Sequence, residues 1–155
     1  MALSDQMTGG GHAGGAAVPS DRPGPDDKSA VIELTVPALT AYLGVVRTAT
    51  AGLAARLSFT LDEIEDLRIA VDQACVMLLG LPRPTPPDAA TLTCRFRVFD
   101  NGLAVTVSAR VDERATMPAE QSFAWQVLTA HASEVTGHAD GGTATVELLK
   151  RRRKR

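Results

Sequence analysis

The chain has almost no charge of one sign to spare: 16 Lys and Arg stand against 18 Asp and Glu, a formal balance of -2 with a pI near 5.9. That excludes a global field drawing it onto nucleic acid, so a basic contact has to be local. The one local candidate is the terminal run Arg151, Arg152, Arg153, Lys154 and Arg155. Long apolar runs are also missing. No stretch reaches the roughly 18 consecutive apolar residues that span a bilayer, and the first residues lack the charged-then-apolar layout of a signal peptide. The expectation is a cytoplasmic protein without membrane contact. Cysteine is scarce as well: Cys75 and Cys94 are two isolated thiols without metal-ligand spacing, each in a segment that reads as core, so both are expected to be reduced. His12, His131 and His138 have no neighbours that suggest a metal site or a nucleophile, and they read as solvated or packed side chains.

What is present suffices for one domain. A chain of 155 residues that is 45% hydrophobic can bury a sizeable core. Residues 1–29, rich in Gly, Pro, Ser and Asp, hold few large apolar side chains to offset the entropy of ordering and read as a disordered arm. Folded sequence is expected over 30–150, with 151–155 as a solvated basic tail; a contact of that tail with nucleic acid or an acidic partner is the alternative.

Within the domain, Val31 to Val36 is a β-branched strand closed by Pro37. Leu39, Leu43, Val46, Leu53 and Leu57 then recur at mostly helical spacing, predicting a helix over 39–57. Thr60-Leu61-Asp62-Glu63 is a capping box that opens a second helix. Its stripe Ile64, Leu67, Val71, Cys75 and Leu78 should lie on the core, while Asp66, Ala70, Gln73 and Met77 fall on a second surface that is apolar at its end. Prolines stop this helix in a stiff linker over 81–87. Strands follow over 91–99 and 103–109, joined at Asp100-Asn101-Gly102, whose Asn-Gly pair suits a tight hairpin. A loop over 111–121, a third helix over 122–135 capped by Ser122, and two strands split by Asp140-Gly141-Gly142 complete the chain. The order β-α-α-β-β-α-β-β predicts an α+β two-layer sandwich, with a mixed or antiparallel sheet of about five strands and three helices on one face.

The segment Ala41-Tyr42-Leu43-Gly44-Val45-Val46-Arg47, continued by Leu61 to Cys75, resembles the first two helices of the RsbW and SpoIIAB anti-sigma factors, which are kinases on the GHKL ATPase scaffold. The resemblance extends from Val31 to Leu149 and is carried chiefly by the residues through Cys75. The helix Phe123 to Ala130 is similar to that of the diverged actinobacterial, UsfX-like members.

That resemblance implies what should hold Mg-ATP, and here those positions have changed. In the kinases, the second helix carries a Glu that acts on the attacking hydroxyl and, four residues on, an Asn that ligates Mg²⁺; this chain has Gln73 and Met77. A neutral amide is no general base, and a thioether suits a hard cation poorly. The adenine-binding Asp and the Gly two residues later are replaced by Ala109 and Val111, and the Gly-x-Gly opening the third helix by Ser122-Phe123-Ala124. No cofactor is therefore expected, and the metal and catalytic sites read as lost. The resemblance further implies that Arg47, with Tyr42 and Gly44, meets an alternative sigma factor and the STAS-type anti-anti-sigma protein that displaces it, the chain being a homodimer. The competing view of Arg47 is a solvated helix arginine paired with Glu65 or Asp66. An active serine kinase using Mg-ATP to phosphorylate its antagonist is the alternative function.

Overall fold

The computed structural model describes residues 30–84 and 90–153, so the arm over 1–29, the end of the proline linker over 85–87 and the last two residues of the basic run lie outside the described residues. The elements are β1 (Ala30–Pro37), a 3-10 turn (Thr40–Tyr42), α1 (Leu43–Arg56), α2 (Leu61–Leu79), β2 (Thr91–Phe99), β3 (Gly102–Arg110), α3 (Phe123–His131), β4 (Glu134–Asp140) and β5 (Thr143–Arg151). One five-stranded sheet, ordered β1-β2-β3-β5-β4, is antiparallel throughout. With three helices against it, this is the α+β sandwich that the element order predicts.

Strand alternation decides which face the helices cover. Leu92, Cys94 and Phe96 of β2, Leu103, Val105 and Val107 of β3, and Ala144, Val146 and Leu148 of β5 are buried. Their neighbours Thr93, Arg95, Thr106, Ser108, Thr145 and Glu147 point the other way and leave a polar face. On that face Arg95 pairs with Glu33 at 3.2 Å across the β1–β2 ladder.

The central helix is α2, which packs on α1, α3, β3 and β5. Its capping box forms as the sequence implies: the Glu63 amide donates to Thr60 Oγ1 at 3.2 Å, and Glu63 Oε1 faces the Thr60 amide and hydroxyl. The second stripe is not open, however. Ala70 and Met77 are buried along with Leu67, Val71, Cys75 and Leu78, and α3 packs on α2 as well.

Several boundaries shift for local reasons. The first helix starts at Leu43 rather than Leu39, since the Ala38 amide extends the strand ladder to the Ala90 carbonyl and Leu39 stays extended and exposed. The third helix ends at His131, not 135: Ala132 is extended, the Ser133 amide bonds the Leu149 carbonyl, and the β-branched Val135 and Thr136 join β4. At the β2–β3 hairpin the turn residues are Asp100 and Asn101, while Gly102 pairs with Phe99 inside the ladder. Its missing side chain has a different purpose from a turn glycine's: a Cβ there would stand 2.7 Å from the Lys150 carbonyl oxygen.

The first three residues of the basic run are docked, not trailing. Arg151 ends β5 and pairs with Glu134 at 2.9 Å. The Arg152 amide bonds the Asn101 carbonyl, its guanidinium caps the Leu57 carbonyl at the end of α1, and the Arg153 amide reaches Glu63 Oε2. The two thiols are likewise less isolated than their spacing suggests. Both are fully buried, and the neighbouring Cys94 together with burial pushes the Cys75 thiol up, which keeps it inert.

Two measurements test these contacts. Burial raises the Glu63 carboxyl, but the Arg153 amide and the Thr60 hydroxyl and amide outweigh it and hold it below the ordinary value of 4.5. A depressed folded value means stability that is present above pH 4.5 and lost as the pH falls through the folded value. Urea midpoints taken between pH 7 and 3 should therefore fall less steeply for Glu63→Gln than for wild type. Gly102→Ala forces a Cβ against backbone and should cost about 1–3 kcal/mol in the same assay; an unchanged midpoint would show that the strands part freely there.

Candidate functional site

Arg47 sits on α1 at the seam with α2, one position after the buried Val46. Its Nε donates to Asp72 Oδ1 at 2.7 Å, with the two side chains 43% and 34% exposed. The partner is thus Asp72, not Glu65 or Asp66. Glu65 is taken by Arg68 at 2.7 Å, and Asp66 by Lys150 at 3.2 Å. Asp72 orients the guanidinium without burying it, leaving a charge that is fixed in place and open to solvent. Tyr42 occupies the N-cap of α1 and is partly exposed. Gly44 is exposed, and a Cβ added to it would meet nothing within 4 Å, so packing does not require glycine there.

The second group of positions lies deeper. Met77, Ala109, Val111 and Ala115 belong to one buried hydrophobic cluster, and Met117, Ala124 and Trp125 pack against it. Gln73 is half-buried. At the start of α3, Ser122 Oγ accepts the Trp125 amide at 3.5 Å, so the helix end is capped from within the chain. The structure brings the side chains of Met77, Ala109 and Val111 into a common apolar interior; it does not join them to the Arg47 seam. Among the described residues, no group of three or more His, Cys, Asp or Glu is placed to hold a metal ion. No helix among them is long and apolar enough to cross a membrane.

The loop over 111–122 has its own anchors. The Val111 amide bonds the Gly142 carbonyl, and the Asp112 amide bonds the Pro82 carbonyl. The Ala115 amide closes on the Asp112 carbonyl, which buries Ala115. Trp125 Nε1 then donates to the Pro118 carbonyl at 2.7 Å. Its ring edge fills the space over Gly137, where a Cβ would lie 2.6 Å from Trp125 Cη2 and 3.2 Å from Met117 Cε. Sequence reasoning does not find this Trp125–Gly137 contact. Its available signal is a glycine in a strand, which marks a close approach without naming the visitor.

Comparison with known proteins places this geometry in context. No protein-family profile matches the chain. A serine-protein kinase RsbW of Bacillus subtilis is 38% identical over 81 residues, 52% of this chain and 50% of that protein. The chain thus matches about half the length of its Bacillus relatives. An anti-sigma-F factor RsbW of Mycobacterium tuberculosis is 34% identical over 146 residues, covering 90% of this chain and 84% of that one. Among solved structures, the crystal structure of the RsbU and RsbW domains of a Mycobacterium tuberculosis protein superposes with a TM-score of 0.64, covering 81% of this chain and 33% of that one. At 16% identity that likeness speaks for the fold alone.

The loop anchor is open to test. Trp125→Phe removes both the donor to Pro118 and the Cη2 edge over Gly137, and should lower stability by about 1–3 kcal/mol. It should also raise amide exchange over 112–121 above that of the rest of the domain. Uniform exchange across the two proteins would mean that the indole bond does not hold the loop.

Proposed function

Because the chain belongs to the RsbW family of anti-sigma factors, we propose that it binds an alternative sigma factor stoichiometrically, keeps it from RNA polymerase, and releases it to a STAS-type anti-anti-sigma protein. On this reading it acts as a homodimer and without nucleotide. The observation that carries the proposal is a contrast: Met77, Ala109 and Val111, three of the positions that align with the family's nucleotide site, are apolar and buried, while Arg47 is held open at the surface by Asp72.

Phosphoryl transfer depends on positioning and on metal electrostatics, so it needs oxygen ligands for Mg²⁺ and donors aimed at phosphate. The residues present do not fit that group. Met77 offers a thioether inside the core, Ala109 has no carboxylate for an adenine amine, and Ser122 Oγ already takes the Trp125 amide in the first turn of α3. Gln73 cannot take a proton from an attacking hydroxyl. Arg47 meets the requirements of docking: an oriented, half-solvated guanidinium whose remaining N–H groups can take a partner carboxylate.

A second reading, a serine kinase acting on the antagonist, is favoured by the names of the Bacillus relatives. The two differ in a single titration. Isothermal calorimetry with Mg-ATP should give no binding heat up to millimolar nucleotide; saturable heat would move the protein to the kinase reading. On the docking side, Arg47→Glu should reduce retention of a co-purified sigma factor at least tenfold, about 1.4 kcal/mol or more, while leaving the thermal midpoint near that of wild type. Unchanged retention would remove Arg47 from the interface.

A further inference from the structure

A groove of about 440 Å³ lies between α3 and β4, lined by Glu120, Trp125, Thr129, Val135, Thr136 and Gly137. None of the six belongs to α1 or α2, so the groove is separate from the Arg47 seam. The Trp125 indole is fixed as one wall because its Nε1 donates to the Pro118 carbonyl at 2.7 Å. Thr129 stands one turn further along α3, and its hydroxyl donates back to the Trp125 and Gln126 carbonyls at 3.0 and 3.2 Å. With that hydroxyl engaged in the helix, Thr129 offers a ligand chiefly its methyl group, and Val135 extends the apolar lining. The one charge is Glu120, an exposed carboxylate in the turn that the Ser122 amide closes on the Ala119 carbonyl. Among the described residues no ion pair engages Glu120, and no basic side chain lines the groove.

Backbone forms the remaining side. β4 ends the sheet order β1-β2-β3-β5-β4 and, among the described residues, pairs with β5 alone. In an antiparallel ladder alternate residues turn their N–H and C=O groups away from the partner strand, so β4 keeps a row of donors and acceptors facing outward. Val135, Thr136 and Gly137 belong both to that strand and to the groove, and Gly137 adds no side chain to screen the row. An extended chain can satisfy these groups, whereas a helix has already satisfied its own and leaves them unpaired.

We infer that this groove seats an extended segment of a partner protein, which adds a strand to β4 and lays one Lys or Arg side chain along the Trp125 indole with its charge at Glu120. An indole beside a carboxylate attracts a cation through the ring quadrupole and the opposite charge together, and the apolar walls take the methylene stem. An acidic side chain would meet Glu120 as a like charge. The basic run of this chain, in the same molecule or a second copy, does not supply the occupant from its described residues. Arg151 pairs with Glu134, and Arg152 and Arg153 are tied to Asn101, Leu57 and Glu63. The site does not depend on the sequestration reading.

Trp125 is the only tryptophan of the chain, so its emission reports on the groove directly. The full-length protein is titrated with a short peptide alternating Val and Arg, with its counterpart carrying Glu for Arg, and with two forms of the Val-Arg peptide N-methylated at Val or at Arg. Calorimetry accompanies each titration. The proposal expects a saturable emission change with matching heat for the Val-Arg peptide, and binding of the Glu counterpart weaker by about tenfold or more. One of the two N-methylated forms should lose binding, because one row of peptide amides faces β4. Glu120→Gln should raise the Kd of the Val-Arg peptide about tenfold, and Thr129→Arg, which puts a guanidinium into the groove from within the chain, should abolish binding. Both residues are exposed, so thermal midpoints should stay near wild type. Arg47→Glu should bind the peptide as wild type does. No saturable signal up to millimolar peptide, or equal affinity for the Arg and Glu peptides, would overturn the proposal. So would wild-type affinity for both N-methylated forms, since no strand would then be added to β4.

Discussion

Everything else in this fold is arranged around α2, which is buried on the sheet below and between α1 and α3 on its flanks. A helix enclosed on three sides cannot display a simple amphipathic stripe. It spends Leu67, Val71, Cys75 and Leu78 on one contact and Ala70 and Met77 on another. Its polar side chains are then left to the remaining ridge, where Asp72 meets Arg47 and Arg68 meets Glu65. The start of the helix is fixed by the Thr60 and Glu63 exchange, and Glu63 in turn receives the Arg153 amide from the far end of the chain. One buried carboxylate thus ties the first turn of the central helix to the last described residues.

The fold was legible wherever the controlling interaction was local. The capping box needs four consecutive residues, and the antiparallel strands announce themselves by alternation, so both appear where the sequence places them. Boundaries moved where a distant backbone group intervened, as the Ala90 carbonyl does at Ala38 and the Leu149 carbonyl at Ser133. The basic run is the clearest case. Five like charges in a row predict solvation, yet Arg152 and Arg153 dock mainly through backbone amides and a helix-end carbonyl, groups whose partners composition cannot reveal. At the candidate site, the type of each residue could be read but its neighbour could not. Arg47 was named, while Asp72 emerged only once α1 and α2 were packed.

On the proposed reading, the loop before α3 illustrates how an interior can absorb a site. A pocket that binds a triphosphate has to keep backbone amides unpaired and a cavity open, both of which cost stability in the empty protein. Here the Trp125 amide in the first turn of α3 donates to Ser122 Oγ, the indole Nε1 donates to the Pro118 carbonyl, and the ring occupies the space that Gly137 leaves. On the proposed reading, these contacts satisfy groups and fill space that a nucleotide pocket would leave open, so the apolar replacements support one another. Restoring a single carboxylate at Ala109 would then bury a charge in a completed core before it recreated a ligand site.

A sequestering protein without a phosphorylation step also differs in how it can be switched. Kinase members of such a system can alter the antagonist covalently, whereas a purely stoichiometric inhibitor exchanges partners by mass action. Its output then depends on the ratio of two affinities and two concentrations. On the proposed reading, both partners dock on the Arg47 face and so exclude each other. The relative affinities of the two complexes then set which of them lasts longer.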